Sequence, residues 1–166
     1  QHGKLSHISG VSHASKNLSE KNVAERQAHS AKFHLKDLDV PINIRVEYSD
    51  TLSPGTGIEI IAHFVNAQGD VDTINPIIIN GNSLGEIRVS AEEVGKKAAL
   101  DLREELIACA PVDSKLADNL VPWLIFGGGF RTTKVTSHTE TNVWVVNRFF
   151  PNLINIEDNL IYNTKL

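Results

Sequence analysis

The chain has 166 residues, a net charge of −4, 41% hydrophobic and 22% charged side chains, the composition of a globular protein with a core of ordinary size. Its longest apolar stretch, Leu120 to Phe130, is broken by Pro122 and three glycines and falls short of the roughly 18 residues a membrane helix needs. A single cysteine, Cys109, excludes an internal disulfide and a cysteine-built zinc cluster, and reads as a small buried residue near a helix end.

Gln1 opens the chain, and no Met follows. Such a start is expected where a signal or precursor segment has been cleaved, which points to an extracytoplasmic or secreted protein, with a virion component as the alternative. Residues 1–40 read as a polar arm holding His2, His7, His13, His29 and His34, with Lys4, Lys16, Lys21, Arg26, Lys32 and Lys36 set against Glu20, Glu25, Asp37 and Asp39. The arm is therefore basic and the rest acidic. Within it, Asn17 reads as an N-cap with Glu20 in the capping-box position, and Val23, Ala24, Gln27, Ala28 and Ala31 share one helical face. A face of mostly alanines is marginal alone, so it is expected to dock.

From residue 41 a single β-rich domain is expected to run to 166. Ile42, Ile44, Val46 and Tyr48 alternate with polar residues as in a half-buried strand, and Ile58 to Val65 is apolar on both faces except for Glu59 and His63, as in a central one. Val71 to Asn80 reads as a strand placed at an edge or bulge by Pro76, and Glu86 to Val89 as a short strand. Ser90 then opens a helix over 91–109, with Val94, Ala98, Leu102 and Leu106 every four residues and Glu92–Lys96 and Glu93–Lys97 as i,i+4 pairs. A second helix is expected over 114–121. Thr132 to Val146 reads as an exposed strand, and Leu153–Ile156 with Leu160–Tyr162 as a hairpin around a three-residue turn.

Strands in consecutive runs favour antiparallel pairing. The expected fold is mainly β: an antiparallel β-sandwich or jelly-roll-like domain with a helical insertion, preceded by the partly helical arm. A two-layer α+β fold is the alternative.

The candidate sites are few. Metal ligands could come from His2, His7, His13, Asp70 and Asp72, but no spacing of three or four supports a metal centre, and no cofactor is called for. His63 lies in the central strand without a Ser or Cys motif beside it, so a hydrogen-bonded histidine is expected there, and His138 is expected at the surface. Gly127-Gly128-Gly129 lacks the nucleophile of an oxyanion loop and the Lys of a phosphate loop, and reads as a sharp turn between apolar anchors. No catalytic residue is assigned. Val23, Ala24, Ala28, Trp123, Phe126 and Phe130 are interface candidates.

Sparse cations with no aromatic residues among them, on an acidic body, argue against nucleic acid as a partner. The expected function is a non-catalytic assembly subunit that associates with other copies of itself through the arm. An extracytoplasmic module for a small ligand or metal is the second reading, and a hydrolase the third.

Overall fold

The computed structural model describes residues 3–71 and 77–165, and the chain divides into two compact units, the first ending at Leu106 and the second beginning at Ile107. The first unit contains β1 (Lys4–Ser15), α1 (Val23–Leu35), β2 (Ile42–Ser49), β3 (Thr56–Val65), β4 (Ile78–Leu84) and α2 (Ala91–Ala108), which begins there. Its four strands form one sheet in the order β2-β1-β3-β4, with β1 parallel to β2 and the other pairs antiparallel. Parallel neighbours need a crossover, and α1 supplies it.

β1 corrects the reading of its residues as a polar arm. The strand runs between β2 and β3, with Ile8, Ser12 and Ala14 turned inward and buried. These inward positions are small and partly polar, so the stretch lacks an apolar stripe that would announce a strand. Small residues on β1 match the alanines of α1, where Ala24, Ala28 and Ala31 are buried. Polar atoms in this contact are satisfied within it: the Ser12 hydroxyl lies 2.8 Å from the Ala24 carbonyl and 2.9 Å from Gln27 Oε1, while Gln27 Nε2 donates to Thr56 Oγ1 at 2.8 Å. Asn17 is not the cap of this helix, because Lys16–Lys21 forms a 3-10 turn and α1 starts after Asn22, whose φ is +48°.

One core cluster joins Ile8, Ile44, Ile58, Ile60 and Ile79 of the sheet to Ala28, Ala31 and Leu35 of α1 and to Val94, Ala98 and Leu102 of α2. Burying each large side chain of this kind contributes about 1.5–3 kcal/mol. Both helices therefore cover the same face. That arrangement overturns the β-sandwich or jelly-roll expectation: helices pack where a second sheet is required, and the sheet is mixed, so the fold is α/β. Ser90 caps α2, its Oγ accepting from Glu93 N at 3.2 Å. Glu92 does not pair with Lys96; it binds Arg26 of α1 through both carboxylate oxygens, at 2.7 and 2.8 Å. Glu86–Val89 is a turn with Arg88 at φ +71°, not a strand, and Pro76 lies outside the described residues.

The second unit contains α3 (Ser114–Leu120), a 3-10 segment over Val121–Phe126, β5 (Gly129–Arg131), α4 (Ser137–Phe149), β6 (Ile154–Glu157) and β7 (Leu160–Asn163). Its strands form an antiparallel sheet in the order β5-β7-β6. The Asp113 carboxylate caps α3, accepting from Lys115 N and Leu116 N. α4 replaces the strand expected over Thr132–Val146. Thr136 caps it by accepting from Thr139 N, and Thr139, Val143 and Val146, spaced four and three apart, are its buried residues. They join Val121, Leu124, Leu153, Ile154 and Ile161 in one core. The β6–β7 turn has two residues, with Asp158 at φ +52°. Gly127 and Gly128, at φ +111° and +89°, hold the conformations that glycine alone adopts without strain. Cys109 is exposed at φ +52°, against the buried position expected for it. None of the described helices is long and apolar enough to cross a membrane.

Candidate ligand-binding face of the sheet

Neither helix of the first unit covers the second face of its sheet. Strand register arranges the residues of that face in rows, because paired residues point to the same side. His7 stands opposite His63; Asn43, Ser9, Ile61 and Asn80 form the next row; Arg45, Val11, Glu59 and Asn82 the third; and Glu47, His13, Gly57 and Leu84 the fourth. A chain of alternating inward and outward residues produces this arrangement without any local sequence motif.

The two histidine rings are stacked, with centroids 4.3 Å apart and planes within 3°. A bulge between Leu5 and His7 restores the register that puts them side by side. Ser9 Oγ lies 2.8 Å from His63 Nε2 and fixes that ring. Partial burial, and secondarily the neighbouring His7, push the His63 imidazole below the ordinary histidine range, so a neutral ring is favoured.

Beside the rings lies a shallow cavity of ≈ 310 Å³. Val11 and Ile61 are its apolar surfaces, and Asn43, Arg45 and Glu59 bring an amide, a guanidinium and a carboxylate to it. Asn80 Nδ2 donates to Glu59 Oε1 at 2.7 Å, and Arg45 pairs with Glu47 at 3.0 Å. Flat apolar surface edged by donors and acceptors suits a planar, polar-edged molecule. A second cleft of ≈ 350 Å³, near Ser15, Thr51 and Gly55, is different in kind. Its Ser15 hydroxyl already contacts Thr51 Oγ1 at 2.6 Å and accepts from Gly55 N at 2.8 Å, closing the loop between β2 and β3.

The metal-ligand candidates do not converge. His7 is engaged with His63, His13 is exposed three rows away, and Asp70 is exposed in a loop where the Asn66 side chain accepts from Gln68 N and Asp70 N. His2 and Asp72 lie outside the described residues, among which no group of three or more His, Cys, Asp or Glu side chains could hold a metal ion. Of the interface candidates, Ala24 and Ala28 are buried under the sheet and Val23 is half-buried, while in the second unit Trp123 and Phe126 are exposed and Phe130 packs on the core. His138 is exposed in the first turn of α4. Sequence reasoning missed the stacked pair because the partners are 56 positions apart and only the bulged register joins them.

Residues 1–107 match the family model for the RNA 3'-terminal phosphate cyclase (RTC), insert domain. That segment coincides with the first compact unit. The chain is 38% identical over 158 residues to the RNA 3'-terminal phosphate cyclase of Pyrococcus abyssi, covering 95% of the chain and 43% of the relative. It is 42% identical over 150 residues to that of Thermococcus onnurineus, covering 89% and 41%, and 33% identical over 165 residues to that of Metallosphaera sedula, covering 99% and 46%. The chain thus spans less than half the length of the curated relatives it matches.

These relatives overturn four expectations. They are named as enzymes of RNA, so the structural-subunit reading fails, and so does the exclusion of nucleic acid drawn from overall charge. Association with other copies through an arm loses its basis, since residues 4–15 form a strand inside a sheet and 23–35 a helix packed on it. Secretion rested on Gln1, which carries no information about processing in a chain that aligns with part of a longer protein. The chain belongs to the RNA 3'-terminal phosphate cyclase insert-domain family.

Proposed function

We propose that this chain works as part of an RNA 3'-terminal phosphate cyclase, supplying the insert domain and the compact unit that follows it. The observation that carries this reading is the extent of the match: 33–42% identity runs through 89–99% of the chain, across both units, to relatives that bear that name. Its substrate is then RNA ending in a 3'-phosphate, and the open sheet face of the insert unit is the surface with chemistry suited to bases. The test adds the longer polypeptide containing this chain to an extract lacking it, with an RNA oligonucleotide carrying a labelled 3'-terminal phosphate. With a nucleoside triphosphate added to activate the phosphate, the neighbouring 2'-hydroxyl displaces the activating group, and cyclisation converts a phosphatase-sensitive monoester into a resistant diester. Label that stays fully sensitive overturns the reading.

A further inference from the structure

The geometry points to the open face of the four-stranded sheet as a binding surface for single-stranded RNA, one base stacking on the His7–His63 pair and the next lying over Val11 and Ile61. This inference rests on the cyclase reading for the class of ligand, and on the face itself for the mode of binding.

Unpaired bases are held by laying their faces on rings or apolar side chains and by hydrogen-bonding their edges. The face offers both. The two imidazoles already stack face to face, parallel to within 3°, with the His63 ring held by Ser9, so a base extends this column as a third parallel ring. In the next two sheet rows, Ile61 and then Val11 are half-buried and present an apolar floor in a cavity of ≈ 310 Å³, the lower end of the range for small-molecule sites. At its margin the Glu59 carboxylate, oriented by Asn80, accepts a hydrogen bond, and the Asn43 amide can donate and accept. A carboxylate at a base edge selects an exocyclic amine, so cytosine, adenine or guanine fits this cleft better than uracil.

Duplex RNA fits the face poorly. Its bases are stacked on one another, and it is gripped mainly through phosphates and 2'-hydroxyls. Here Arg45 is the guanidinium at the cleft and two carboxylates, Glu47 and Glu59, stand beside it. Stacking and edge contacts must therefore dominate over phosphate neutralisation. That also accounts for an RNA-binding surface on a chain of net charge −4.

The experiment titrates the full 166-residue chain into a fluorescein-labelled single-stranded RNA dodecamer with a 3'-phosphate, following anisotropy, and in parallel follows the histidine ring protons by NMR. Expected are saturable binding tighter than the roughly 10⁻⁴ M of weak non-specific contacts, a log–log salt slope near −1 or shallower, and shifts of the His7 and His63 resonances. Replacing both rings (His7→Ala with His63→Ala) weakens binding about tenfold, whereas the ring-preserving pair His7→Phe with His63→Phe retains it and Lys32→Ala on the outer side of α1 leaves it unchanged. Glu59→Gln removes the preference for oligo(C) over oligo(U). Binding that is absent, a slope steeper than about −3, or unmoved ring resonances overturns the inference. Should the alanine pair fail to fold, the phenylalanine pair and the ring shifts still decide. These failures leave phosphatase resistance intact in the cyclisation assay, so the two readings fall separately.

Discussion

Gly95 of α2 lies against the backbone of Gln27 in α1, so close that a Cβ at position 95 would stand 2.1 Å from the Gln27 carbonyl oxygen. A glycine inside a helix ordinarily costs about 1 kcal/mol relative to alanine, so Gly→Ala in a free helix stabilises. Here the obstacle is backbone that has nowhere to go. Gly95→Ala is expected to lower stability by about 1–3 kcal/mol, because separating two packed helices outweighs the gain in propensity. Urea denaturation followed by helical circular dichroism measures it, and a rise in stability would show that the helices are not in this contact.

The same helices are clasped by Arg26 and Glu92. Their two parallel hydrogen bonds hold the Glu92 carboxyl down to about 2, well below its usual range. A carboxyl lowered in the folded state adds stability above its unfolded value, and this is lost as pH falls from about 4.5 toward 2. Both side chains are about half exposed, so the effect is small. Glu92→Gln should unfold at lower denaturant than the parent at pH 6, with the difference closing near pH 2. A gap that persists at pH 2 would mean the pair acts through packing alone.

The lowered affinity of His63 for protons works in the opposite part of the scale. Its first cause is burial and its second the neighbouring His7. The neutral ring is the folded form, so the contribution of this site is complete above about 6.5 and declines as pH falls through the lower folded value. An NMR titration of the C2 proton should place His63 below the ordinary histidine range. His7→Ala should move it up while leaving it lowered, since burial remains; full return to the ordinary range would assign the shift to the ring pair instead.

Gln27 is fully buried among Ser12 and Thr56, with Thr56 Oγ1 donating onward to the His13 carbonyl at 2.8 Å. Gln27→Leu keeps the volume and removes the amide, leaving the Ser12 and Thr56 hydroxyls with one partner fewer. A loss of about 1–3 kcal/mol is expected, measured by thermal unfolding. Gln27→Leu at parent stability would show that water replaces the amide.

Legibility followed how each segment is buried. α2 could be read because Val94, Ala98 and Leu102 repeat on one face and are all buried in the core. β3 could be read because Ile58, Ile60 and Ala62 alternate on the buried side while Ile61 adds an apolar residue to the other, polar at Glu59 and His63. α4 could not: Val143, Trp144, Val145 and Val146 are β-formers in a row, and only packing of Val143 and Val146 on Leu153 and Ile161, with the Thr136 cap, selects helix. The open face was equally hidden. Its rows join residues from four strands, and no spacing within one segment encodes that.

By itself the sequence determined the amphipathic helix from Ala91, the alternation of β2 and the turn glycines, since each depends on neighbours within a few positions. Tertiary structure decided the rest. It placed the polar residues 4–15 at the centre of a sheet, where small side chains admit an alanine helix, and it set His7 on His63, because strand pairing, not chain order, brings distant residues to one face.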